Sequence, residues 1–289
     1  MIRTVFDIFR QAIRRFNNSD DWALASHVAL SVLFGLFPFV IFFTILIGWA
    51  SRWLYGADAI ADQAVLFLFD GWPEAAAEPI AAEIRNVLGV PRKGLLTLSA
   101  LLTLILASNV IEALRVPLNR TYGFKDKRSY LRLRFQSIGF IIIGSLGFLT
   151  TLLLLVLAPV VLTVAGHYVP NLASQVDGFQ LFRIAAAATV LALCLLAFHR
   201  WLPAGRRRWR TIFPGVVFTM VGFVVASSLF GAYLDGFARY ADTYAGLAGF
   251  MIGIFYLYCL AAIFIFGAEI NAAIIERRNA SKANQAANI

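Results

Sequence analysis

Glu269 follows 24 residues, Ala245 to Ala268, that carry no charged side chain. As a helix that stretch is long enough to cross a bilayer with some tilt. At 1.5 Å per residue it measures about 36 Å, which places Glu269 near one boundary of the hydrocarbon. A carboxylate at that depth is costly unless paired or hydrated, so its chemistry is ion pairing and proton binding. The counter-charges that topology brings nearest are Arg115, Arg200 and Arg210, and Asn109, one helical turn before Glu112, reaches a comparable depth. The pattern predicts an inner gate, in which Glu269 pairs with one of these arginines and protonation or substrate loosens the pair. Two plainer alternatives are a permanent ion pair between helices and a glutamate simply at the interface. Candidates for the gate or a substrate path are Glu269, Asn271, Asn109, Glu112, Arg115, Asn119, Arg210, Pro38 and Tyr244.

Other chemistries find no residues to carry them. The three histidines, His27, His167 and His199, fall on three different connections or span ends. Cys194 and Cys259 lie inside apolar runs, with no CxxC or Cys/His spacing to suggest a disulfide framework or a zinc site. No nucleophile elbow, P-loop or metalloprotease signature is present. The expectation is a protein that is not an enzyme, with no catalytic residue, metal or cofactor. Basic loops flanked by Trp201 and Trp209 suit anionic lipid headgroups better than nucleic acid, because cytoplasmic arginine already has a role in topology. Arg206, Arg207 and Arg208 are the residues expected at headgroup level.

The elements that position these groups are helices in a membrane. The chain is 60% hydrophobic and 14% charged, against about a quarter charged for an ordinary soluble domain. Apolar runs predict six spans: 28–50, 94–110, 138–164, 181–199, 214–234 and 245–268. Pro38, with Ser31 and Gly35 before it, predicts a discontinuity in the first. Gly249 and Gly253 form a GxxxG pair in the last, where another helix could approach closely. Residues 1–18 read as an amphipathic interfacial helix, with Ile2, Val5, Phe6, Phe9, Ile13 and Phe16 on one face. Packing of that helix under the bundle is the alternative. Residues 51–93 read as a short helical extracytoplasmic cap inserted in a membrane domain of 19–278, and 279–289 as a disordered tail. The fold class is an all-α membrane protein.

Charge orients the spans. Nineteen of the 25 Lys and Arg fall on the N-terminal arm, two connections and the tail, leaving six for the opposite side. The positive-inside rule then puts both termini in the cytoplasm.

Three segments resemble the YihY/BrkB family of inner-membrane proteins: SNVIEALRVPLNRTYG at 108–123, RWLPAGRRRWRTIFPG at 200–215 and FGAEINA at 266–272. LFGLFPF at 33–39 and the spacing of Tyr233, Tyr240 and Tyr244 also match, so the likeness covers about residues 20 to 275. The family pattern has Tyr-Gly where this chain reads Tyr244-Ala245-Gly246. The resemblance implies a bacterial inner-membrane location and links to serum resistance or lipid export. It also brings an old ribonuclease BN label, against which the absence of catalytic residues argues. Two functions follow as expectations: a transporter or exporter of a lipid or envelope component, and a non-transporting scaffold or assembly factor. Partners expected are membrane lipids, especially anionic ones, an unknown small-molecule or lipid substrate, and a second copy in a homo-oligomer. A cysteine introduced at Asp70 should label from the outer side of intact cells. Labelling only after permeabilisation would overturn the orientation.

Overall fold

A computed structural model describes residues 2–55, 93–158, 176–205, 207–237 and 245–287. The described residues form seven long helices and no strand: α1 Ile2–Asn18, α2 Asp21–Tyr55, α3 Lys93–Thr121, α4 Tyr130–Leu152, α5 Val176–Trp201, α6 Trp209–Phe237 and α7 Ala245–Ala287. α4 runs on through a π-turn at Leu153–Leu157. Six of the helices, α2 to α7, are long and apolar enough to cross a membrane.

Helix ends follow local chemistry. α3 stops where Gly123 turns left-handed at φ 69°, a conformation that only glycine adopts without a Cβ penalty. The N–H of Phe124 then closes back onto the carbonyl of Asn119 at 2.9 Å, satisfying a last-turn acceptor. Between α1 and α2, Asp20 takes φ 52°, and the Trp22 indole donates to Asn17 Oδ1 at 3.0 Å.

The chain divides into two compact units, Met1–Leu30 with Val110–Ile289, and Ser31–Asn109. In the larger unit α5 packs against α4 and α6, and α7 packs along both α6 and α1. The core gathers near one end of this bundle, around Leu118, Leu202, Ile212, Val216, Ile265 and Ala268. Large apolar side chains along the spans, such as Phe148, Val221 and Leu229, are exposed, as suits helices solvated by lipid tails. α6 and α7 cross most closely at Gly215 and Gly267. A Cβ on Gly215 would collide with the Gly267 carbonyl, and one on Gly267 would collide with the Thr219 hydroxyl. In the smaller unit, Pro38 is buried within α2, and Phe34 and Phe37 are exposed.

Several sequence expectations need correction. Pro38 does not interrupt its helix, and α3 continues past the expected end at 110 and through Pro117. A proline deletes one hydrogen bond, and a long helix retains the others. Residues 279–287, expected as a disordered tail, continue α7, with four alanines and neither Gly nor Pro to stop it. Among the described residues Gly253 has nothing within 4 Å of its would-be Cβ, the surroundings of Gly249 lie outside them, and a close helix approach is seen at Gly215–Gly267. The expected cap at 51–93 lies outside the described residues beyond Tyr55. Gly215→Ala should therefore destabilise the protein by about 1–3 kcal/mol through overpacking, while Gly253→Ala should be neutral. Thermal unfolding in detergent compares the two, and equal effects would refute the close crossing.

Candidate functional site

α1 is pinned to α7 by a stripe of polar residues spaced four apart. Asp7, Gln11 and Arg15 share one face of α1. They meet Arg277, Glu276 and Glu269 of α7 in descending order, so the two helices run antiparallel. Arg15 Nε donates to Glu269 Oε2 at 2.6 Å and Nη1 to Glu276 Oε2 at 2.9 Å. Its Nη2 donates to the carbonyl of Thr121 at 2.7 Å, in the last turn of α3. One guanidinium thus joins three helices. Burial alone would lower its pKa, and the hydrogen bond and charge of Glu269 outweigh that and raise it. Rings seal the joint: Phe9 and Phe16 lie 5.3 and 5.6 Å from Phe266, and Phe16 meets Trp22 at 4.8 Å.

Glu269 is fully buried, and its second oxygen, Oε1, has no hydrogen-bond partner among the described residues. Asp21, in the first turn of α2, is also fully buried with both carboxylate oxygens unpartnered there. It lies within electrostatic range of Glu269, Arg120 and Arg15. His199 of α5 is a third such group, buried against Phe264 with both ring nitrogens unpartnered.

The connections around this cluster are tied by side-chain amides. Asn271 accepts from the Gly215 N–H at 2.8 Å and donates to the Tyr122 hydroxyl at 3.4 Å. Burial pushes the Tyr122 hydroxyl up to about 12. Asn119 accepts from the Ala204 N–H at 2.6 Å and donates to Asp126 at 3.2 Å. Arg128 grips Asp126 through Nε at 2.7 Å and through Nη2, and this pairing pulls the carboxyl down to about 2. Arg207, 6% exposed, lays its guanidinium 3.8 Å from the ring centre of Tyr122 and 5.1 Å from that of Phe124. Its burial lowers its pKa to about 10. Two open cavities of about 860 and 1020 Å³ flank this arginine.

The expected partners of Glu269 are therefore replaced by Arg15. Arg115 is buried elsewhere, donating to Ser137 Oγ at 2.8 Å and to the Leu133 carbonyl. Arg200 donates to the Arg207 carbonyl and stacks on Trp209 at 4.3 Å, and Arg210 is exposed. Glu269, Asn271 and Asn119 belong to the polar cluster, whereas Glu112 is exposed outside it. Asn109, also exposed, and Pro38 belong to the other unit. Tyr244 and Arg206 lie outside the described residues. Of the expected headgroup arginines, Arg208 is exposed but Arg207 is buried beneath aromatic rings. α1 packs along α7 with Ala12 and Phe16 buried, while Phe6, Phe9 and Ile13 of its apolar face are exposed. Sequence reasoning missed Arg15, Asp21, Tyr122 and His199. The spacing of Asp7, Gln11 and Arg15 was the available signal for the first. Among the described residues no group of three or more His, Cys, Asp or Glu could hold a metal ion.

The family described as Virulence factor BrkB matches residues 12–288. The chain is similar to the "Putative ribonuclease-like protein YfkH" of Bacillus subtilis, 26% identical over 279 residues, covering 93% of this chain and 95% of that one. It is also similar to a "UPF0761 membrane protein" of Tolumonas auensis, 26% identical over 267 residues, covering 88% and 80%. No solved structure matches.

The Asp126–Arg128 pair yields a pH prediction. With a folded value near 2 and an ordinary value of 3.8, ionised Asp126 favours the folded state. That contribution is complete above the ordinary value and is lost as pH falls towards 2. Asp126→Asn should cost about 1–3 kcal/mol at neutral pH, as for hydrogen bonds to charged groups. The difference from wild type should shrink as acid protonates the carboxyl, and thermal unfolding across that range checks it.

Proposed function

This chain belongs to the BrkB family of multi-pass membrane proteins, and we propose that it moves a solute, lipid or envelope component across the membrane, with Glu269 as its gate. The observation that carries this reading is the incomplete pairing of buried carboxylates. Glu269 keeps one oxygen unpartnered among the described residues, and its only cation there sits on the peripheral helix α1. Ionisable groups within a membrane helix are costly, and their usual use is in ion or substrate pathways. Protonation of Glu269 would weaken the hold of Arg15 and free α1 from α7, a change that binding of substrate could also drive. The proposal is non-catalytic and places the chain in the bacterial inner membrane, with both termini cytoplasmic and Glu269 near the inner face.

The scaffold reading has its own support. Arg15 engages α7 twice and α3 once, which suits a permanent strut between helices. Glu269→Gln separates the two, since it keeps the shape and removes the charge. The gate predicts folded protein with altered flux or lipid scrambling in reconstituted vesicles. The strut predicts loss of folded protein, because it leaves the Arg15 charge without its main partner. A variant as stable and as active as wild type would defeat both.

A further inference from the structure

Arg207 is a buried cation with no carboxylate partner among the described residues. Only its Nη2 is engaged, donating to the Ala204 carbonyl at 2.7 Å; Nε and Nη1 have no partner among the described residues. A buried guanidinium with two idle donors is costly, and its position is nevertheless built with care. Gly205 turns left-handed at φ 84°, and a Cβ there would come within 2.7 Å of the Phe124 ring. The ring therefore seats against the loop and, with Tyr122, holds the guanidinium by its face. Arg200 caps the Arg207 carbonyl and is itself held by Trp209.

The cavity of about 860 Å³ that Arg207 lines has a strongly positive wall. Lys125, Lys127, Arg132 and Arg200 complete it. Asp126 is the sole carboxylate among the lining residues, and both its oxygens are already taken, by Arg128 and Asn119. The other five lining cations have no carboxylate partner among the described residues, and Arg200 and Arg207 are already held in place. Such a wall suits a multivalent oxyanion over a lone carboxylate.

We propose that this cavity is a binding site for a phosphate-bearing anion, with Arg207 as its innermost contact and Lys125, Lys127 and Arg132 as its rim. The volume exceeds what phosphate alone needs, so the ligand carries a further polar group, as a lipid headgroup or a soluble phosphoester does. The site stands apart from the transport reading, since a scaffold would hold a resident lipid equally well.

The test uses the full chain in phosphatidylcholine nanodiscs and follows its thermal unfolding midpoint. One arm adds inorganic phosphate against chloride at matched ionic strength; the other adds phosphatidic acid to the disc, with oleate as an anionic lipid lacking phosphate. A ligand that binds only the folded state raises the midpoint in proportion to its occupancy. A rise with phosphate assigns the site to soluble phosphoesters, and a rise with phosphatidic acid alone assigns it to a headgroup. Arg207→Gln should abolish the effect. Lys125→Gln/Lys127→Gln, at exposed positions that leave folding intact, should weaken the affinity about thirtyfold. No rise in either arm, an equal rise with oleate, or a double variant that binds like wild type would overturn the proposal.

Discussion

A buried carboxylate has no water to hydrate it, so the protein must bring the counter-charge to Glu269. The larger unit is arranged to do so. Six spanning helices offer few cations at that depth, and those nearest in the expected topology are committed elsewhere or exposed: Arg115 to α4, Arg200 to the 202–208 loop, and Arg210 on the surface. α1 is recruited instead. Its apolar face fits the rings of α6 and α7, and its polar stripe delivers Arg15 to Glu269. A helix with the composition of a membrane-surface element thereby becomes a bracket of the bundle.

The same constraint inverts the usual core. Lipid tails are as apolar as leucine, so burying leucine along the spans gains little. What the helices bury with most effect is polar and paired: Glu269, Asn271, Thr219 and Ser137. Backbone contact supplies the rest. Gly215 and Gly267 let α6 and α7 touch backbone to backbone, and Asn271 can then reach the Gly215 N–H from the opposite helix. That contact holds the helix just after Pro214, which has no N–H of its own to donate.

Much of the architecture was legible because length and apolarity are properties of a segment by itself. The six spans, the all-helical class and the membership of the family followed from runs of residues and from 108–123, 200–215 and 266–272. Pairing was not legible, because it depends on where separate segments meet. Arg15 and Arg115 are both arginines on amphipathic or span-end sequence, and nothing local says that the first finds Glu269 and the second Ser137. The glycine contact at Gly215–Gly267 was illegible for a similar reason. Gly249 and Gly253 carry the recognised spacing, while Gly215 and Gly267 stand alone on separate helices and meet only in the fold. Pro38 misled in the opposite direction, since α2 absorbs it without ending.

α7 has a mechanical consequence. Its 43 residues make a rod of about 64 Å, roughly twice the hydrocarbon thickness of a bilayer. About half of that rod must project beyond the apolar layer, and α1 is bolted along the part that contains Glu269 to Arg277. If such a rod pivoted at the Gly215–Gly267 crossing, it would act as a lever. From Gly267 to Ala287 the arm is about 30 Å, so a tilt of about 10° sweeps its tip through about 5 Å. Movement too small to open a gap among the spans becomes, at the free end, a displacement that a neighbouring protein could feel.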